Sequence, residues 1–168
     1  VWLYVLRTVD KHRAWAVAAV GLMATLLLVP AVDPGPDALV PMMVIMSVHG
    51  FFLGLSSIAL PSLLADIVDY DIWRNGKDRA AIFFSLQALV TMLNQGVGGA
   101  IALFIPTLFG FSGKGEITGA AELGLKLAFV GWPCVLLIPM IWLAWRYPLD
   151  RRAHRILSRR LSSRGMAA

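Results

Sequence analysis

The chain has 168 residues, 58% hydrophobic and 15% charged, with a mean hydropathy of +0.73 and a net charge of +5. That balance excludes an ordinary soluble domain and makes a lipid bilayer the expected solvent. The single cysteine, Cys134, excludes an intrachain disulfide and a cysteine metal site.

Residues 1 to 6, VWLYVL, read as the last turns of a hydrophobic helix that begins upstream, so the sequence is expected to be a fragment of a longer protein. Four runs without any Lys, Arg, Asp or Glu follow, at 14 to 32, 38 to 65, 80 to 111 and 127 to 145. Each approaches or exceeds the roughly 20 apolar residues that cross about 30 Å of hydrocarbon. The expected spanning helices are 14 to 32, 38 to 68, 80 to 110 and 123 to 145, which makes the chain an all-α polytopic membrane protein.

The linkers alternate in charge. Thirteen of the fifteen basic residues fall in RTVDKHR at 7 to 13, in the stretch 66 to 79 and in the tail from Arg146; AVDPGPD from Ala31 has none, and SGKGEITGAAE from Ser112 has only Lys114. Basic loops stay on the cytoplasmic side, so 7 to 13, 66 to 79 and the tail 146 to 168 are expected in the cytoplasm. This also explains the net charge, and nucleic acid is discounted as a partner. Within the tail, Leu149, Ile156 or Leu157, and Leu161 recur among arginines, which reads either as an interfacial helix against anionic lipid or as a solvated basic tail.

Polar groups inside a span are costly unless they face protein or a water-filled cavity, so they are the candidate site residues. In the second span Pro61 frees the Ser57 carbonyl and predicts a kink near Ser56 and Ser57; the two hydroxyls either offer a ligand surface or bond back to their own helix. In the third span Gln87, Thr91, Asn94 and Gln95 fall within about one face at helical spacing, as a cavity lining or as interhelical glue. His49 is read as a proton-coupling group or a simple polar contact. The small-residue pairs Gly50 and Gly54, and Gly98 and Ala102, predict close helix approach.

Seven charges crowd ADIVDYDIWRNGKDRAAIFFSLQ at 65 to 87: Asp66, Asp69, Asp71, Arg74, Lys77, Asp78 and Arg79. Asp66 and Asp69 partly match the D-x-x-D start of membrane CDP-alcohol phosphotransferases, but Tyr70 and Trp73 break the pattern and residues 80 to 115 hold no Asp for its second half. Neither an enzyme nor a metal site is therefore expected. A closer resemblance is to the glycoside/pentoside/hexuronide:cation symporter family of the major facilitator superfamily. It rests on ADIVDY at 65 to 70, Trp73 with Arg74, GKDR at 76 to 79, FSLQ at 84 to 87 leading to IPTLFGF, and DKHR at 10 to 13.

The resemblance implies that residues 1 to 145 are part of the C-terminal bundle of a twelve-helix transporter, from the end of helix eight through helix twelve, followed by the basic cytoplasmic tail. It implies a sugar:cation symporter working by alternating access, with Gln87 and Ser57 at positions of its sugar cavity; the polar stripe adds Thr91, Asn94 and Gln95 as candidates to face the same small-molecule substrate. Asp66, Asp69, Arg74, Lys77 and Arg79 would form a cytoplasmic gate, or else only end helices and set topology. The implied partners are the bilayer, a sugar or glycoside and the N-terminal six-helix bundle of the same protein; the implied location is a bacterial inner membrane. No cofactor is implied beyond a coupling cation, Na⁺ or H⁺, held by the N-terminal half. Met92 and Ala88 depart from the lysine and threonine frequent in that family. A small membrane subunit or anchor without transport activity is the alternative reading.

Overall fold

The computed structural model describes residues 9 to 114 and 117 to 146. The helix end expected over 1 to 6 and the tail from 147 lie outside the described residues. Every secondary-structure element among the described residues is helical, without a strand: α1 Lys11–Leu28, α2 Leu39–Asn75, α3 Ala80–Leu108, α4 Gly119–Lys126 and α5 Trp132–Trp145, the last two joined by a π-helical turn, Leu127–Gly131. Taken with their joins and short 3₁₀ turns, four segments are long and apolar enough to cross a membrane: Lys11–Ala31, Pro36–Asn75, Ala80–Leu108 and Gly119–Trp145.

The fourth span widens where it does for a local reason. Pro133 has no amide hydrogen, and its ring crowds the carbonyl four residues back. The Trp132 amide instead reaches the Leu127 carbonyl, five residues back, so the extra residue of the π turn gives the ring room. By contrast α2 runs unbroken through Pro61 and α3 through Pro106.

The largest departure from expectation is the end of α2. The span was expected to end at 68 with the charged stretch leading into a loop, yet the helix continues to Asn75 and only Gly76 to Arg79 connect it to α3. At 37 residues α2 is about 55 Å long, against the roughly 30 Å a hydrocarbon core requires. The helix is thus longer than a hydrocarbon core requires, and Gly76 marks where it ends: its φ of 65° is left-handed, and its amide caps the Ile72 carbonyl at 2.8 Å.

Helix α1 is the centre of the packing, held between α2 and α5. Its inward residues are small: Ala14, Ala16, Ala18 and Ala19 are buried, and Ala14 and Ala18 pack with Leu55 and Ala59 of α2, with Trp15 against the cluster. Small faces let helices approach closely, which is how membrane helices gain packing when lipid is as apolar as their side chains. At Gly21 the approach is closest: a β-carbon there would stand 2.5 Å from the Phe52 ring. Gly124 likewise lies under Phe109, where a β-carbon would be 2.7 Å from the Phe109 Cβ. The glycines expected to do this, Gly50 and Gly98, have nothing within 4 Å of a built β-carbon.

Helix α3 is the edge of the assembly. It packs on α4 and the π turn and meets α2 only sparsely. Apart from Pro106 none of its residues is buried.

Candidate functional site

The polar stripe of α3 opens on a groove of about 350 Å³ lined by Phe84, Gln87, Ala88, Thr91, Met92 and Gln95. These residues recur at three and four positions, so one helix face carries two carboxamides, a hydroxyl, an aromatic ring and a thioether with no charge. Asn94 does not line this groove, although it stands on the neighbouring face and is exposed. The Thr91 hydroxyl donates to the Gln87 carbonyl at 2.8 Å, back along its own helix. Gln87, by contrast, also lines a second, apolar cavity of about 190 Å³ with His12 and Trp15 of α1, Leu60, Leu63, Leu64 and Ile67 of α2, and Leu143 and Ala144 of α5. One carboxamide thus borders both the open groove and the space between the helices.

On α2, Ser57 and Ser56 part company. Ser57 is exposed and its hydroxyl donates to the Leu53 carbonyl at 2.9 Å, while Ser56 accepts the Trp15 indole N–H at 3.0 Å and ties α2 to α1. Ser57 stands two helical turns from Leu64, on a stripe bordering the apolar cavity. A second polar tie joins the same helices: Thr25 Oγ1 lies 2.8 Å from His49 Nδ1 and within 3.0 Å of the Gly21 and Leu22 carbonyls. His49 is thus a polar contact between helices in this conformation, and Thr25 had no signal in the sequence beyond its presence in an apolar span.

The charged end of α2 divides into three groups. Asp66 is committed to α1: Lys11 Nζ donates to its Oδ1 at 2.7 Å and to the Ser62 carbonyl at 3.3 Å. Arg79 is committed to Asp71, which sequence reasoning left out of the network. Its Nε donates to Asp71 Oδ2 at 2.9 Å and its Nη2 donates to Oδ1, where Asn75 Nδ2 donates as well, at 2.7 Å. Those hydrogen bonds to the carboxylate hold the guanidinium above its ordinary pKa. Asp69, Arg74 and Lys77 make no ion pair or hydrogen bond among the described residues. Beside them Tyr70 and Trp73 are in ring contact at 5.9 Å, and the buried Trp73 indole N–H has no acceptor among the described residues.

A charge-free, amide-lined face on a membrane-spanning helix is what a carrier of polar solutes needs. Residues 1–151 match the family described as MFS/sugar transport protein. The chain belongs to that family. It is an integral membrane protein, and its family is one of transporters rather than of enzymes. It is similar to the glucuronide carrier protein homolog of Escherichia coli (strain K12), 26% identical over 105 residues, which are 62% of this chain and 23% of that carrier. The match therefore spans less than a quarter of that relative's length. No solved structure matches.

Proposed function

We propose that the chain is the C-terminal part of a sugar:cation symporter of the bacterial inner membrane, working by alternating access. The observation that carries the reading is the groove on α3, where Gln87, Thr91 and Gln95 stand among apolar side chains with no charge, on a helix long and apolar enough to cross a membrane. Carboxamides both donate and accept hydrogen bonds, which suits the hydroxyl pairs of a sugar, and Phe84 offers an apolar ring to its C–H face. Gln87, Thr91, Asn94 and Gln95 of α3, with Ser57 of α2, are the proposed substrate-facing residues. The N-terminal six-helix bundle of the same protein would cover this face and hold the coupling cation, Na⁺ or H⁺. No cofactor is assigned.

The loops carrying basic residues face the cytoplasm in this reading, with the tail, and the charged end of α2 forms the cytoplasmic gate. Asp69, Arg74 and Lys77 are the members available to pair with the opposite bundle when the site faces outward, with Asp66 and Arg79 framing them from within their own bundle. Pairs that exist in one state alone bias the equilibrium between states. Each exposed pair contributes only about 0 to 1 kcal/mol, so the gate works as a set.

Uptake of a labelled sugar panel by the full-length protein in vesicles, with a Na⁺ or a proton gradient imposed, tests the function. Accumulation of at least one sugar above its external concentration, abolished when the gradient is collapsed, is the expected result. Equilibration without accumulation under either gradient would contradict coupling, and no uptake of any sugar would contradict the substrate class. For the gate, Asp69→Asn is expected to shift the outward and inward populations; unchanged populations would remove it.

A further inference from the structure

The connection between α2 and α3 has its own fastening, made of residues outside the substrate face. Along most of their length the two helices are not in contact; the cavity bordered by Leu60, Leu63, Leu64, Ile67 and Gln87 lies between them. Their join, Gly76 to Arg79, contains a left-handed glycine, which on its own leaves the direction of α3 loosely set. Two contacts remove that freedom. The Asp78 carboxylate accepts the Ala80 N–H at 2.9 Å and fixes the first turn of α3 to the connection. Arg79 then reaches back eight residues and holds Asp71 with two parallel N–H donors, while Asn75, one turn beyond Asp71, donates to the same carboxylate.

A two-point guanidinium–carboxylate contact fixes orientation as well as distance, which a single ammonium cannot do. Each residue of a helix turns the next side chain by about 100°, so any rotation at Arg79 is transmitted undiminished to the face of α3. Gln87 stands eight residues on, about 12 Å along the axis.

We propose that Asp71, Asn75 and Arg79 form a clasp that sets the rotation of α3, and so are positioning residues for substrate binding by Gln87 and Gln95. This rests on the reading of the α3 groove as the substrate face. It gives Arg79 a constant partner inside its own bundle, in place of one exchanged during gating.

The test uses the full-length protein in proteoliposomes, with Cys134 and every cysteine outside this sequence replaced by Ser, and with spin labels at Leu53→Cys on α2 and Leu93→Cys on α3. Asp71→Asn removes the charge, and Arg79→Lys keeps the charge but loses the second donor. Both are expected to broaden the interhelix distance distribution and raise KM for the transported sugar about fivefold, with Vmax within about twofold. The exchange D71R/R79D is expected to narrow the distribution again and recover KM to within about twofold of wild type. A clasp that merely stabilises the fold would lower Vmax through the amount of folded protein and leave KM alone; that outcome overturns the proposal. Unchanged distance and KM in both single variants overturns it too. If the distances broaden, yet neither these variants nor Gln87→Leu changes KM, the substrate face is wrongly placed and the clasp falls with it. If Gln87→Leu raises KM and the clasp variants do not, the face stands and only the clasp falls.

Discussion

Helices α1 and α3 are both apolar spans, yet they do opposite work. One face of α1 is alanine and glycine, buried against α2 and α5, and its polar groups are engaged: Trp15 with Ser56, Thr25 with His49, Lys11 with Asp66. Helix α3 buries almost nothing, and among the described residues Gln87, Asn94 and Gln95 make no side-chain hydrogen bond to another helix. In a membrane, small residues mark where protein meets protein, and carboxamides left at a surface mark where protein meets something polar that is not part of this bundle. The contrast separates a structural centre from the face proposed to meet substrate.

The sharpest way to break the contrast is to crowd the centre. Gly21→Leu forces a side chain into the Phe52 ring, and overpacking of this kind costs about 1 to 3 kcal/mol, the upper end being expected here. Leu93→Phe on the exposed face of α3 is expected to change stability by less than about 0.5 kcal/mol. Denaturation of the full-length protein in detergent micelles measures both; equal losses would mean that α3 packs as tightly as α1. Next in size is Lys11→Met, which removes the 2.7 Å contact of Lys11 Nζ with the mostly covered Asp66 carboxylate. Because the pair is part-exposed, a loss of about 1 to 2 kcal/mol is expected in the same assay, relieved by the second change Asp66→Asn.

Moving to the working face, Gln87→Leu is expected to lower kcat/KM for sugar uptake about tenfold while leaving stability within about 0.5 kcal/mol. A stability loss matching the activity loss would make Gln87 a packing residue. The smallest effects belong to the hydroxyls already satisfied by their own helices. Thr91→Val and Ser57→Ala should each change uptake by less than about twofold, since the deleted group bonds to a local carbonyl. A tenfold loss at either position would show that the hydroxyl leaves its carbonyl for substrate.

Hydrophobic runs made the four spans legible, because nothing but length and absence of charge is needed to read a crossing. The end of α2 was misread for the same reason. Charge was taken as the end of the helix, whereas the helix continues from Asp66 to Asn75 in the region beyond the apolar run, and the true stop signal was Gly76. The stripe from Gln87 to Gln95 was legible from spacing, but that Asn94 stands outside the groove is a matter of a few tens of degrees that spacing does not resolve. Asp71 was passed over in favour of Asp66 and Asp69. Its partner stands eight residues away across a turn, and no local periodicity encodes that pairing. The close approaches at Gly21 and Gly124 were likewise illegible, because each depends on which aromatic ring a second helix brings to it.

The claim that one face of α3 meets substrate is tested most directly by cysteine accessibility along Phe84 to Gln95 in the full-length protein with Cys134 and every other native cysteine replaced. A membrane-impermeant thiol reagent should label positions 84, 87, 91 and 95, with the transported sugar slowing the reaction, and should spare 89 and 93. Labelling without that helical period, or labelling at 87 and 95 that sugar leaves unchanged, would contradict it.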